Sequence, residues 1–500
     1  MVARRRVKYF FVAGVMLLGL CLLPVPVGRA AEVESTIKEV LAMARGQLGE
    51  RWYGIYVLGK KVGWQRERWD EREDSLCNAS EFTLKLAFLG KVSTITSREE
   101  TCYSLATPYC MLSYQSTKNE DGRVVTIAGK RDGDELAYEV TTDGRAHTSR
   151  VPLDSDLLAH AVGWACVARM KEGDEINSRS FDELTSKSRW QRFTLQGNEK
   201  RTLRGKQQQL FKIRIRDEAG MDLDTLVNQE GVILEGAMGP SIRIVLEDQQ
   251  TALRKDLDLL DLYSTSFVAA TGKIDLAQVT AVKHFKARLN GESSLDMAAN
   301  NRQKVVERGE KSVTLEVDAC SAPVANESPD LKSFLVCNAD IPCAEEDLVK
   351  LATQTVGAAK EPLAKALALT RWVHKSFQYS LGSGGGTGAQ ILAAKKGDCT
   401  EYSKGLITLL RAVGIPARQL SGIVLASDTP PSFAYHAWVE VWIDGRGWVA
   451  VDPTWGSFPV DATHIVFDVD GGLQMAAHLG GLTLDILAIA YDETGEVKCD

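Results

Sequence analysis

The stretch Gly397-Asp398-Cys399-Thr400-Glu401-Tyr402, continued by Tyr435-His436-Ala437-Trp438 and closed by Val451-Asp452-Pro453-Thr454-Trp455, decides how this 500-residue chain is read. Asp398 is a good helix N-cap, and Glu401 three positions on completes a capping-box pattern. The predicted helix buries Tyr402, Leu406, Leu409, Leu410 and Val413, stops at Gly414 and is followed by Pro416. Cys399 therefore falls in the first turn. There the helix dipole and free amides favour a thiolate, with a thiol pKa below its free value of about 8.5. The same amides can hold a developing oxyanion, a contribution of roughly 3 kcal/mol per donor.

His436 opens the apolar run Ala437–Ile443, a strand; Asp444-Gly445-Arg446-Gly447 turns the chain, and Trp448–Asp452 returns. Side chains alternate along strands, so register decides whether the histidine and the aspartate can meet. A plain turn of even length pairs Val439 with Asp452 and sends the carboxylate to the face opposite His436. An odd-length turn, or a glycine bulge at Gly445 or Gly447, brings both to one face, and that is the expectation. A cysteine, a histidine and an aspartate in this order are the parts of thiol-based acyl transfer: Cys399 as nucleophile, His436 as base, Asp452 as the group that orients the imidazole.

The G-D-C-x-E-Y start, the L-L-R-A-V-G-I-P-A-R continuation through Arg418, the H-A-W-V-E-V strand and the G-W-V-A-V-D-P-T return resemble the core of the transglutaminase-like superfamily, bacterial branch, over about 345–470. The resemblance implies an α+β fold with a papain-like core at the C-terminus and a triad at Cys399, His436 and Asp452. The family holds protein cross-linking acyltransferases, peptidases and amidases, so it leaves the reaction open. Members use a tryptophan or another polar side chain as a second oxyanion donor; here Trp372 reads as helix core and Gln390 is an option. The calcium-binding features of animal transglutaminases are not recognisable, and neither a cofactor nor a metal is expected.

Outward from this core, Arg4-Arg5-Arg6 and Lys8 precede the apolar run Tyr9–Leu23, which ends at Pro24 and Pro26 before Gly28-Arg29-Ala30. That is the layout of a secretory signal over 1–30, with an uncleaved anchor as the alternative. Without those five basic residues the chain holds 54 basic against 66 acidic side chains, a net of −12. Nucleic acid and anionic lipid are poor partners for such a surface, so membrane contact is expected only through the N-terminal segment. The reading is an exported protein, periplasmic or in the cell envelope, acting on a protein or peptide. Its oligomeric state is not legible. Nine cysteines follow the leader, which one catalytic thiol and four disulfides would account for. Cys102 with Cys110 and Cys337 with Cys343 are close enough to close short loops; none shows the C-x-x-C spacing of a zinc or redox site.

Val33–Gln47 reads as a short amphipathic helix. Trp52–Val57 and Val62–Trp64 read as a hairpin, and short strands follow at Glu81–Phe88, Ser93–Glu99, Met111–Ser116, Arg123–Ala128, Leu136–Thr141, Arg192–Leu195, Leu210–Arg216, Thr225–Asn228 and Ile242–Leu246. Evenly spaced strands indicate an antiparallel β-rich domain over 31–255, with Leu153–Met170 as a covering helix. The charged run Arg66–Asp74 reads as a solvated strand edge or turn. His147 and His160 lack partner motifs. Residues 256–344 form a smaller β-rich or connecting segment with strands at Gln278–Leu289 and Ser312–Ala319. Helices at Leu348–Val356 and Leu363–Phe377 then open the catalytic domain, 345–500. Gly382–Gly388 reads as a loop flanking a cleft, since no lysine and hydroxyl pair makes it a phosphate loop. Asp461–Ile465 and Leu479–Ala490 read as strands finishing that domain, with His464 a cleft-lining candidate for which a structural role is favoured. The rival to an enzyme is a non-catalytic binding or scaffold protein of the cell envelope that keeps the triad residues.

Overall fold

The computed structural model describes residues 45–499 apart from 89–90, 107–110, 121, 143, 153–169, 183–186, 204–205, 218–221, 262–264, 294, 298–299, 321–330, 339, 381–385 and 470–476. The leader, most of the helix expected over 33–47, the covering helix, the glycine run at 382–385, Cys110, His160 and Cys166 lie outside the described residues. Contacts divide the chain into two compact units, one through Asp261 and one from Leu262.

The first unit is one antiparallel sheet. Its strands are β1 (Gly49–Val57), β2 (Lys60–Arg72), β3 (Ser75–Phe88), β4 (Lys91–Ser104), β5 (Met111–Glu120), β6 (Arg123–Asp132), β7 (Glu135–Thr142) and β8 (Arg145–Pro152). After these come β9 (Glu175–Asp182), β10 (Lys187–Leu203), β11 (Lys206–Asp217), β12 (Asp222–Asn228), β13 (Ile233–Met238) and β14 (Ile242–Glu247). Consecutive strands pair throughout except β8 and β9, which form the two edges, and β1 joins β14 in the middle of the sheet. Strict alternation drives this: Leu136, Tyr138 and Val140 of β7 are buried while Glu139 between them is exposed. Leu58 and Gly59 make the β1–β2 turn with φ of 49° and 75°, the left-handed pair that a tight hairpin requires.

The run Arg66–Asp74 is not an edge. Most of it belongs to β2, an interior strand between β1 and β3, where Arg66 meets Glu81 at 2.8 Å and Trp69 on the other face is buried. Cross-strand pairing, rather than edge protection, explains those charges. The same register places Cys77 directly opposite Cys102, and these two form a disulfide, so Cys102 does not pair with Cys110.

The second unit builds a nine-stranded sheet from β15 (Phe267–Thr271), β16 (Val282–Asn290), β17 (Gln303–Arg308) and β18 (Ser312–Asp318), together with β21 (Ala417–Asp428), β22 (Pro431–Ile443), β23 (Gly447–Val451), β24 (Ile465–Val469) and β25 (Thr483–Tyr491). The short β19 (Gln378–Tyr379) and β20 (Lys396–Gly397) pair apart from it. In the main sheet β15 and β25 run parallel and the other pairs are antiparallel. Residues 262–344, which the sequence sets apart, pack in this unit because β15 lies between β25 and β22. The strand expected from Gln278 starts at Val282, since Asp275 caps a 3-10 turn over Leu276–Ala281 by accepting from the Ala277 N–H. Cys337 pairs with Cys343, and Cys320 with Cys499.

Among the described residues of the second unit, four α-helices interrupt the strands: α1 (Glu346–Val356), α2 (Pro362–Ser376), α3 (Gly388–Ala394) and α4 (Cys399–Ala412). The first three pack on α4, which lies against β21 and β22. Leu406, Leu409 and Leu410 of α4 are fully buried with Leu369, Val373, Val439, Val441 and Val451. At about 2 kcal/mol for each large apolar side chain, that stripe holds the helix to the sheet. No helix among the described residues is long and apolar enough to cross a membrane.

Candidate active site

Helix α4 begins where its cap dictates. The Asp398 carboxylate accepts from the Thr400 N–H at 3.0 Å, and Glu401 reaches back to accept from the Asp398 N–H at 2.8 Å. The return of Glu401 requires Gly397, because a Cβ there would lie 2.2 Å from the Glu401 Cβ. Cys399 follows the cap and is 2% exposed. It is the free cysteine among the described residues, and the backbone amide of Ala437, the neighbour of His436, acts to lower its thiol pKa.

The turn between β22 and β23 decides the rest. Ile443 pairs with Gly447, so three residues, Asp444–Arg446, make the turn, and Gly445 and Gly447 take φ of 78° and 76°. This odd length puts Asp452 on the same face as His436, and the His436 Nε2–H donates to Asp452 Oδ2 at 2.9 Å. The other carboxylate oxygen, Oδ1, accepts from the N–H groups of Thr454 at 2.7 Å and Trp455 at 3.4 Å. That local turn folds Trp455 back onto His436, with ring centroids 4.6 Å apart and planes 11° apart. From α2, His374 Nδ1 meets the Thr454 carbonyl at 3.1 Å and props the same turn.

Charge at the site departs from the sequence expectation in one respect. The Cys399 thiol is pushed well up, first by burial and next by the Asp398 charge, with the Ala437 amide opposing. Burial, followed by the charge of Glu401, likewise drives the Asp398 carboxyl well above its usual range. The helix start is therefore not the purely electropositive niche that a lone N-terminus would be, because two buried carboxyl groups cap it. Burial also acts to raise Asp452, but the charge and hydrogen bond of His436, with His464 adding to them, outweigh it and hold the carboxyl below the ordinary range.

His464, which the sequence offers as a cleft residue but favours as a structural one, lies at the site. The stretch expected to be a strand from Asp461 is a turn, in which the Asp461 carboxylate accepts from the Thr463 N–H and hydroxyl, and β24 starts only at Ile465. The turn delivers the wholly buried His464 to within 3.6 Å of Asp452. The one signal was Asp-x-Thr, an Asx-turn pattern inside an apolar run. Donor atoms of His436, Asp452 and His464 lie within 4.8 Å of one another, a spacing a cation could bridge, although His436 and Asp452 already share a hydrogen bond. Trp372, expected in the helix core, is partly buried and packs against it. Gln390 completes the capping box of α3, accepting from the Thr387 N–H at 3.1 Å.

Residues 349–453 match the family model described as the transglutaminase-like superfamily, and the chain carries a domain of that superfamily. A protein-glutamine gamma-glutamyltransferase of Pseudomonas aeruginosa is 34% identical over 122 residues, 22% of this chain and 18% of that protein. This chain thus spans less than a fifth of that relative's length. Among solved structures, the periplasmic domain of TgpA from Pseudomonas aeruginosa bound to ethylmercury aligns over 39% of this chain and 90% of its own, at 19% identity and a TM-score of 0.29. A putative cysteine protease from Cytophaga hutchinsonii aligns over 41% and 82%, at 19% identity and a TM-score of 0.28. The family match supports a cysteine-based enzyme of this superfamily in the broad sense.

Proposed function

We propose that the second unit is a cysteine acyltransferase or amidase. The Cys399 thiol attacks an amide carbonyl, from a glutamine side chain or a peptide, and passes its proton to His436; the amine then leaves with that proton, and a thioester remains on the sulfur. Water resolves the thioester to an acid, or a primary amine resolves it to a new amide. Asp452 holds the imidazole with Nε2 protonated, so Nδ1 is the nitrogen that serves as base. The observation that carries this reading is the buried His436–Asp452 hydrogen bond, next to a free cysteine at a capped helix start. The packing of α4 on β21 and β22 supports a papain-like core.

Iodoacetamide tests the reading. Labelling of the native protein that disappears in Cys399→Ala and falls at least tenfold in His436→Ala is expected; equal labelling of all three would sink it. Product masses with and without an added primary amine then separate transfer from hydrolysis.

The binding or scaffold alternative draws on one observation, the closure of Cys399 at 2% exposure with a raised thiol. Absence of any thiol labelling would favour it. We read the protein as exported: the three disulfides among the described residues suit an oxidising compartment, and the charged, apolar and small-residue layout of the first thirty residues agrees with it.

A further inference from the structure

Behind the triad the chain of charges continues. His464 Nε2 lies 3.6 Å from Asp452 Oδ2, and its Nδ1 lies 3.4 Å from Asp461 Oδ1. All four residues of the row His436, Asp452, His464 and Asp461 are buried, the middle two completely. Among the described residues neither ring nitrogen of His464 makes a hydrogen bond of normal geometry, and its polar neighbours at ion-pair distance are the two carboxylates. The remaining surroundings are aromatic: Trp438 and Trp455 stand edge-on to the ring, with centroids 5.2 and 5.4 Å away, and His436 lies at 6.1 Å. The nearby cation Arg302 faces away onto backbone, bonding the carbonyls of Val460 and Asp461.

A buried imidazole with a carboxylate at each nitrogen has a physical reason to be charged, and a buried carboxylate needs a compensating charge. We propose that His464 is a positioning residue of the active site: bridging Asp452 to Asp461 as a cation, it fixes the Asp452 carboxylate and offsets part of its charge, and so limits how strongly His436 retains a proton. The inference rests on the thiol-enzyme reading above. Burial acts to lower the His464 imidazole, but the two carboxylates outweigh it and hold it above its ordinary value. The benefit for the reaction is direct, because a base that holds its proton less tightly returns it more readily to the leaving amine.

Histidine-labelled full-length protein, observed by NMR, tests this independently of any substrate. With the seven histidines assigned by single replacements, His464 of the native protein is expected to have both ring nitrogens protonated at neutral pH. A neutral tautomer there would overturn the proposal, whether or not a variant at this position folds. In a Cys399→Ser background, where His436 titrates without the thiol, His464→Gln is expected to raise the His436 midpoint by about one pH unit. A purely structural His464 would leave that midpoint in place, and this too would overturn the proposal. Failure of iodoacetamide to label Cys399 would instead count against the underlying enzyme reading, whatever the titration shows.

Discussion

Trp455 lies flat on His436, at 4.6 Å between ring centroids, and it reaches that position through the carboxylate that His436 also uses. Asp452 is therefore both the hydrogen-bond partner of the imidazole and the origin of the turn that covers its face.

The Trp455 contact leads to the first prediction. Trp455→Ala frees one face of the imidazole, and misplacing a base by an ångström can cost about 100-fold. We expect iodoacetamide labelling of Cys399 to slow by about 10- to 100-fold in Trp455→Ala, and Trp455→Phe to retain most of the native rate. Equal rates for the two variants would show that the stacking does not orient His436.

Gly397 carries a second. Its missing Cβ makes room for Glu401 to fold back on the cap. Gly397→Ala should cost about 1–3 kcal/mol, as overpacking does. Urea denaturation of the oxidised protein would measure this, and an unchanged midpoint would mean the helix start relaxes freely.

His478 predicts a pH dependence. Burial pushes its imidazole down from the ordinary 6.5 to about 4. The unfolded chain therefore takes up this proton first as pH falls, so the stability present above the ordinary value is lost between 6.5 and about 4. The loss amounts to about 3 kcal/mol. His478→Gln should flatten the stability curve over that window by a similar amount; parallel curves for the two proteins would refute the assignment.

The bond between Cys320 and Cys499 spans 179 residues. Closing so long a loop restricts the unfolded chain, and its loss typically costs about 2–5 kcal/mol. Replacing both cysteines by serine should lower the melting temperature of the second unit far more than the same change at Cys337 and Cys343, which are six residues apart. Equal shifts in a calorimetric scan would show that loop length is not what matters here.

Much of the candidate site was legible in the chain because it depends on local rules. The capping box at Asp398 and Glu401, the apolar stripe of α4 and the alternation around His436 each operate within a few residues. So does the demand for an odd turn, which follows from the two-residue period of a strand once Asp452 is required to face His436. The pairing of Cys77 with Cys102 was not legible, because a long hairpin register brings distant residues opposite each other. The strand content of 262–344 was legible in part, but its membership of the second sheet was not.

By itself the sequence determined which residues begin the helix, which lie on the hairpin and which chemistry they suit, since spacing and residue type govern those outcomes. Only the tertiary structure decided the electrical state of the site. The thiol's proton affinity depends on how completely Cys399 is buried beside Asp398, and the environment of Asp452 depends on a turn that carries His464 inward. Burial and the approach of charges distant in sequence are sums over the folded neighbourhood, and no window of residues contains them.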